Sequence, residues 1–435
     1  MTFRDFRGHA LALLACAALV LLFGEIAGAI LFYRQQGSLI YSNQRVHVGA
    51  KADNFAPMAR QRLHPYLGFA GPYSIETEGW KFNNLGFPQA RPYKEVPFKP
   101  SPRDLVVVVF GGSVASNLVT PWQGGLSLSE VLQEQMPDRN IIVYSMAQGS
   151  GKQPQQLIAL TMLLALGQHI DVIVNLDGFN EFALGYSNAR YLTHPIFPSL
   201  AILWGIGKGL EPEGSNSDFH RIAADLIEAR SAIRDEEDAA NGSRSGAAYI
   251  FHKLKVSSAL RTKARAEQAY SMGPMKRNSP EELRGIQTMM GVNLPYTNQA
   301  SPWEDIFQIW LRSSDAMAAL SKAAGAQFLH IIQPNQYFSK KQFSPDEARV
   351  ALSQPEGDPM RLGAERGYPM IAERADLLQA RGIVSAINLF DGEPGAMYVD
   401  NCCHYTRAGE TMLTRFVAAK ILGRLNTGPQ TRRSE

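Results

Sequence analysis

Residues 105–113 read LVVVVFGGS: four valines between a leucine and a phenylalanine, then two glycines and a serine. An unbroken β-branched run without polar alternation is the pattern of a strand buried on both faces, as in a parallel sheet covered by helices on either side. Residues 140–144 (NIIVY) and 171–176 (DVIVNL) repeat it, and residues 126–135 and 155–166 between them carry helical spacing. Strand and helix alternating at this pitch predict βαβ units in a doubly wound α/β sheet. The alternation stops after Phe182. It resumes with a helix over 306–324, a strand over 327–333 (QFLHIIQ), a helix over 368–379, a strand over 383–389 and a last helix over 407–425.

The 435 residues are 45% hydrophobic and 19% charged, which supplies a core and excludes a disordered chain. A formal net charge of +3 lacks the concentrated basic excess of a nucleic-acid binder, so no nucleic-acid partner is expected. Three cysteines (Cys16, Cys402, Cys403) make no disulfide framework.

Upstream of the sheet, residues 10–33 (ALALLACAALVLLFGEIAGAILFY) are apolar but for Glu25, long enough at about 1.5 Å per residue to cross a hydrocarbon core of roughly 30 Å. Arg4 and Arg7 precede the run, so the positive-inside rule keeps residues 1–9 in the cytoplasm and exports everything after Tyr33. Glu25 at mid-depth costs on the order of 2.5–3.5 kcal/mol. Ala27-Gly28-Ala29 also fits a signal-peptidase pattern, so a cleaved leader competes with an uncleaved anchor; either reading places the body outside the cytoplasmic membrane, in a bacterial periplasm. Residues 34–102 read as a juxtamembrane lead-in, 103–425 as the α/β domain with a helical insertion or lid at about 183–300, and 426–435 as a polar tail. Within the insertion, 221–234 is amphipathic and 252–265 basic, a pattern of solvated helix faces.

Four segments place chemistry at strand ends, where open parallel sheets bind ligands. Gly111-Gly112-Ser113 follows the first strand: a nucleophile presented by a tight turn, a phosphate-cradling turn, or a plain helix cap. Ala147-Gln148-Gly149-Ser150-Gly151 follows the second and could lend backbone N–H groups to an oxyanion, or be a flexible loop. Asp177-Gly178-Phe179-Asn180-Glu181 follows the third; Asn180 could donate to an oxyanion, or the segment could simply turn. Asp400-Asn401-Cys402-Cys403-His404 precedes the last helix, and there Asp400 could orient His404 to accept a proton. No Walker lysine or GxGxxG follows the glycines, so no nucleotide cofactor is expected. Nor is a metal: thiolate–imidazole sites need more ligands, and Cys402 and Cys403 read as small packing residues.

The order Ser, Gly, Asn, Asp/His over residues 103–425 resembles the SGNH (GDSL-type) hydrolase superfamily, and Asn83-Asn84-Leu85-Gly86-Phe87 is similar to the N-x-x-G-[FY] lead-in of its bacterial members. The resemblance implies a flavodoxin-like three-layer α/β/α fold. It implies Ser113 as nucleophile and His404 as general base, oriented by Asp400 or working as a Ser-His dyad. Ser113, Gly149 and Asn180 would form the oxyanion hole, with Ser150 or Gly151 as alternatives to Gly149. Gly112 and Glu181 stand where the family usually has Asp, Ser145 where it has Asn, and three residues rather than two separate Asp400 from His404. The implied function is an extracytoplasmic serine ester hydrolase. The alternatives are an O-acyltransferase that modifies an envelope or extracellular polysaccharide, working with polysaccharide machinery at the cytoplasmic membrane, and a non-catalytic scaffold with the same fold.

Overall fold

The protein is described here from a computed structural model. It describes residues 3–36, 39–42, 62–71, 76–77, 80–89, 93–209, 243–276, 296–298 and 300–427, together with the helical pairs 228–229, 232–233, 235–236 and 239–240. The amphipathic stretch 221–234 lies mostly outside these residues, as do 426–435 beyond Thr427.

The chain divides into two compact units: Met1–Ala59 with Lys208–Arg277, and Arg60–Gly207 with Asn278–Glu435. The larger unit is an α/β body. Five short strands open it: β1 (Arg62–His64), β2 (Gly68–Ala70), β3 (Glu76–Thr77), β4 (Trp80–Phe82) and β5 (Pro88–Gln89). The central strands follow as β6 (Asp104–Gly111), β7 (Asn140–Ser145), β8 (Val172–Asp177), β9 (Gln327–Ile332) and β10 (Val384–Ser385). They pair in parallel in the order β10-β9-β8-β6-β7, with Val107 opposite both Val143 and Val172. From β6 the chain moves to β7 on one side and returns to β8 on the other, so the switch point of the topology lies at β6, where such sheets bind ligands beyond their carboxyl ends.

All eight residues of β6 are buried, and they divide by parity. Leu105, Val107 and Val109 enter one apolar cluster with Trp310, Tyr368 and Val417; Val106, Val108 and Phe110 enter another with Leu160, Leu163 and Phe87. Helices therefore cover both faces, which is why the run shows no alternation. Each fully buried valine contributes roughly 1.5–3 kcal/mol relative to exposure.

The parallel α/β sheet expected from the sequence is present, and its elements depart from expectation in three places. Helix Phe179–Arg190 belongs to the body, packed through Phe182 and Ala183 against helix Pro359–Glu373, although it extends into the stretch read as insertion; only Lys208–Arg277 leaves the body. The helix expected over 368–379 is two helices, Pro359–Glu373 and Ala375–Ala380, separated at Arg374. The strand expected over 383–389 is cut to Val384–Ser385, because the Ser385 hydroxyl accepts a hydrogen bond from the Ile387 N–H at 3.3 Å and turns the chain. From Arg62 onward the lead-in packs onto the body: Asn83 Nδ2 donates to the Ser145 carbonyl at 3.4 Å, and Gln148 Nε2 to that of Phe69 at 2.8 Å.

The smaller unit joins helix Phe3–Gln36, whose segment Ala15–Arg34 is long and apolar enough to cross a membrane (mean hydropathy 2.3), to helix Gly246–Lys276. Glu25 is not left to apolar neighbours. Its carboxylate accepts from Tyr41 Oη (2.8 Å), Ser245 Oγ (2.6 Å) and the N–H groups of Gly246 (2.8 Å) and Ala247 (3.1 Å), capping the second helix. The close approach needs Gly28, where a Cβ would overlap the Gly246 carbonyl oxygen.

Candidate active site

The carboxyl end of β6 delivers Ser113 as the first residue of helix Ser113–Val119, with Gly112 at its N-cap. On the far side, residues 397–406 form a hairpin: Tyr398 bridges Tyr405, Val399 N–H donates to the His404 carbonyl at 3.0 Å, and Thr406 N–H to that of Met397 at 2.9 Å. The hairpin carries His404 to the serine. Its Nε2 lies 2.7 Å from Ser113 Oγ, and its Nδ1 is hydrogen-bonded to Asp400 Oδ2.

Three intervening residues suit this loop. While Asp400 Oδ2 meets the imidazole, Oδ1 accepts from the N–H groups of Cys402 (2.9 Å), Cys403 (3.0 Å) and His404 (3.2 Å). One carboxylate thus folds the loop and orients the ring. Burial pushes the His404 imidazole down, but the charge and hydrogen bond of Asp400 outweigh it and raise its pKa to about 9. Burial likewise pushes the Asp400 carboxyl up, and the imidazole and loop N–H groups more than reverse that, leaving it below its ordinary value.

Glu347 supports the hairpin from behind: its Oε1 accepts from Met397 N–H (2.7 Å) and Tyr398 N–H (3.1 Å), and Lys341 Nζ lies 2.9 Å from its Oε2 in a fully buried ion pair.

Asn180, near the start of the helix after β8, donates from Nδ2 to the Gly151 carbonyl at 2.8 Å. The same nitrogen sits 2.2 Å from where a Cβ at Gly112 would be, so the glycine directly before the serine leaves the amide its place. Of the glycines after β7, Gly151 is bonded to Asn180 and packed against the Gly111 carbonyl. Gly149 stands half-exposed, with nothing within 4 Å of its Cβ position. Glu181 is buried and ties the two loops, accepting from Gly178 N–H (2.8 Å) and Gln153 N–H (2.9 Å); burial and then the Asp177 charge raise its pKa.

Two contributors escaped sequence reasoning. Trp122 lies beside the imidazole, ring centroids 4.8 Å apart. Its loop is held by Glu410, which accepts from the N–H groups of Trp122 (3.0 Å), Gln123 (3.0 Å) and Gly125 (3.2 Å). No local motif marks either residue, since 288 positions separate them. A second Ser–His–Asp chain, Ser314–His330–Asp177, is bonded at 2.7 Å and 2.7 Å, with Trp310 Nε1 also on Asp177 (2.8 Å). All of it is sealed in the core, so it serves packing. The Cys402 and Cys403 sulfurs are 3.1 Å apart, and that of Cys403 lies 4.0 Å from His404 Nε2.

No protein-family model matches the chain, and no curated protein matches it.

Proposed function

We propose that this chain is a membrane-anchored serine ester hydrolase with an SGNH-type α/β/α body held outside the cytoplasmic membrane. The single observation that carries the reading is the relay Ser113 Oγ–His404 Nε2, with His404 Nδ1 on Asp400. In its neutral form His404 takes the Ser113 proton as the hydroxyl attacks an ester carbonyl, and Asp400 steadies the imidazolium that results. The oxyanion is met by the N–H of Ser113 at the helix N-terminus and by the second hydrogen of the Asn180 amide, whose first is anchored on Gly151. The imidazolium then protonates the leaving alcohol, and water repeats the sequence on the acyl-enzyme. Hydrolysis of p-nitrophenyl acetate tests this: the full chain in detergent turns it over, and Ser113→Ala does not. Equal turnover by the variant contradicts the proposal.

A second reading, transfer of the acyl group to a sugar hydroxyl, is favoured by Trp122, whose half-buried indole beside the base offers a flat apolar face on which a sugar ring can stack. Incubation with an acyl donor and a glycan separates the two: acylated sugar marks transfer, and free acid alone marks hydrolysis.

A further inference from the structure

Cys402, Cys403 and His404 stand in succession on the hairpin of residues 397–406. Their donor atoms, two sulfurs and an imidazole nitrogen, all lie within 4.8 Å of one another. We propose that they form a binding site for a thiophilic divalent metal ion, and that filling it silences the serine by taking the lone pair of His404 Nε2.

The donor set selects the ion. Two thiolates and an imidazole suit zinc or cadmium, whereas calcium and magnesium require oxygen ligands. With metal–sulfur bonds near 2.3 Å and metal–nitrogen bonds near 2.0 Å, a tetrahedral ion holds its donors about 3.5–3.8 Å apart. The observed 3.1 Å between the sulfurs and 4.0 Å from Cys403 Sγ to His404 Nε2 each lie within about 1 Å of that. Ser113 Oγ, 2.7 Å from the same nitrogen, stands ready as a fourth, oxygen donor. The second shell is built as well. Metal-binding histidines donate their other ring N–H to a carboxylate, as Nδ1 does to Asp400, and that carboxylate also grips the N–H of each residue carrying a ligand.

Oxidation of the pair to a disulfide is the competing fate of two adjacent thiols. Neighbours across a trans peptide have Cα atoms about 3.8 Å apart, below the roughly 4.4–6.8 Å that disulfides prefer, so the dithiol is the favoured form. On loading, both thiols lose their protons to solvent, as does the imidazolium where His404 is charged; no electrons move.

The inhibitory half rests on the esterase reading, in which His404 is the base; the binding half stands on the donors alone. The test uses the reduced full chain with Cys16→Ser, titrated with cadmium and read by thiolate-to-metal ultraviolet absorption. One saturating equivalent is expected, with the absorption lost in Cys402→Ser and the affinity lowered about 10–100-fold in Asp400→Asn. Fluorophosphonate labelling of Ser113 should stop at that equivalent and return with chelator. An unchanged titration in folded Cys402→Ser, verified by its melting curve, overturns the site. Should that variant not fold, a wild-type titration without a saturating equivalent overturns it. Saturation with undiminished labelling overturns the inhibition. If the metal-free protein never labels, the esterase reading fails while the titration still decides the site.

Discussion

His404 Nε2 sits 2.7 Å from Ser113 Oγ across 291 residues of sequence, and both belong to the same compact unit. That approach is fixed from two sides: β6 sets the serine at the switch point of the sheet, and Asp400 folds the hairpin that brings the imidazole.

Because Asp400 raises His404 to about 9, the imidazole is mostly charged at neutral pH and cannot accept a proton. The kcat/KM for ester hydrolysis should therefore rise with pH and level off above about 9. In Asp400→Asn the inflection should fall toward roughly 6.5, the ordinary histidine value, with kcat reduced by up to about 10,000-fold through the wrong tautomer. The same raised pKa stabilises the fold fully below about 6.5 and is lost as pH climbs through about 9, so the difference in melting temperature between wild type and this variant should shrink over that interval. A pH profile and a pair of melting series check both.

Gly112→Ala should act through Asn180. The added methyl overlaps Nδ2, so the amide must move. We expect kcat to fall about 100–1000-fold, as for loss of an oxyanion donor, with KM less affected. Parallel kinetics of Gly112→Ala, Asn180→Ala and the double variant check it: the double should be little worse than either single.

Glu410→Ala leaves three loop N–H groups without their acceptor. A cost of about 1–3 kcal/mol in chemical denaturation is expected, with a larger loss of kcat/KM than stability alone explains, since Trp122 loses its seat beside His404.

How much of this was legible in the chain depends on the range of the signal. The β6 run announced its own burial, and the ends of β6, β7 and β8 announced Ser113, Gly149–Gly151 and Asn180, because strand, turn and helix start are local features. Trp122 and Glu410 were not legible: their tie is tertiary, and neither has a motif. The cut of β10 at Ser385 turns on a single hydroxyl that periodicity does not weigh. Glu25 showed in the sequence only as a cost, since the donors that meet it lie mostly 220–222 residues away.

The buried chain Ser314–His330–Asp177 provides an internal control. Ser314→Ala should lower stability by about 1–3 kcal/mol by leaving His330 Nδ1 unpaired, and should leave ester hydrolysis as it was. Thermal melts beside turnover assays check this.

The most direct measurement is peptide mapping of the full chain after treatment with a fluorophosphonate. A covalent adduct on Ser113, absent in His404→Gln, is expected. An adduct on some other serine, or none on a folded, reduced and metal-free protein, would contradict it.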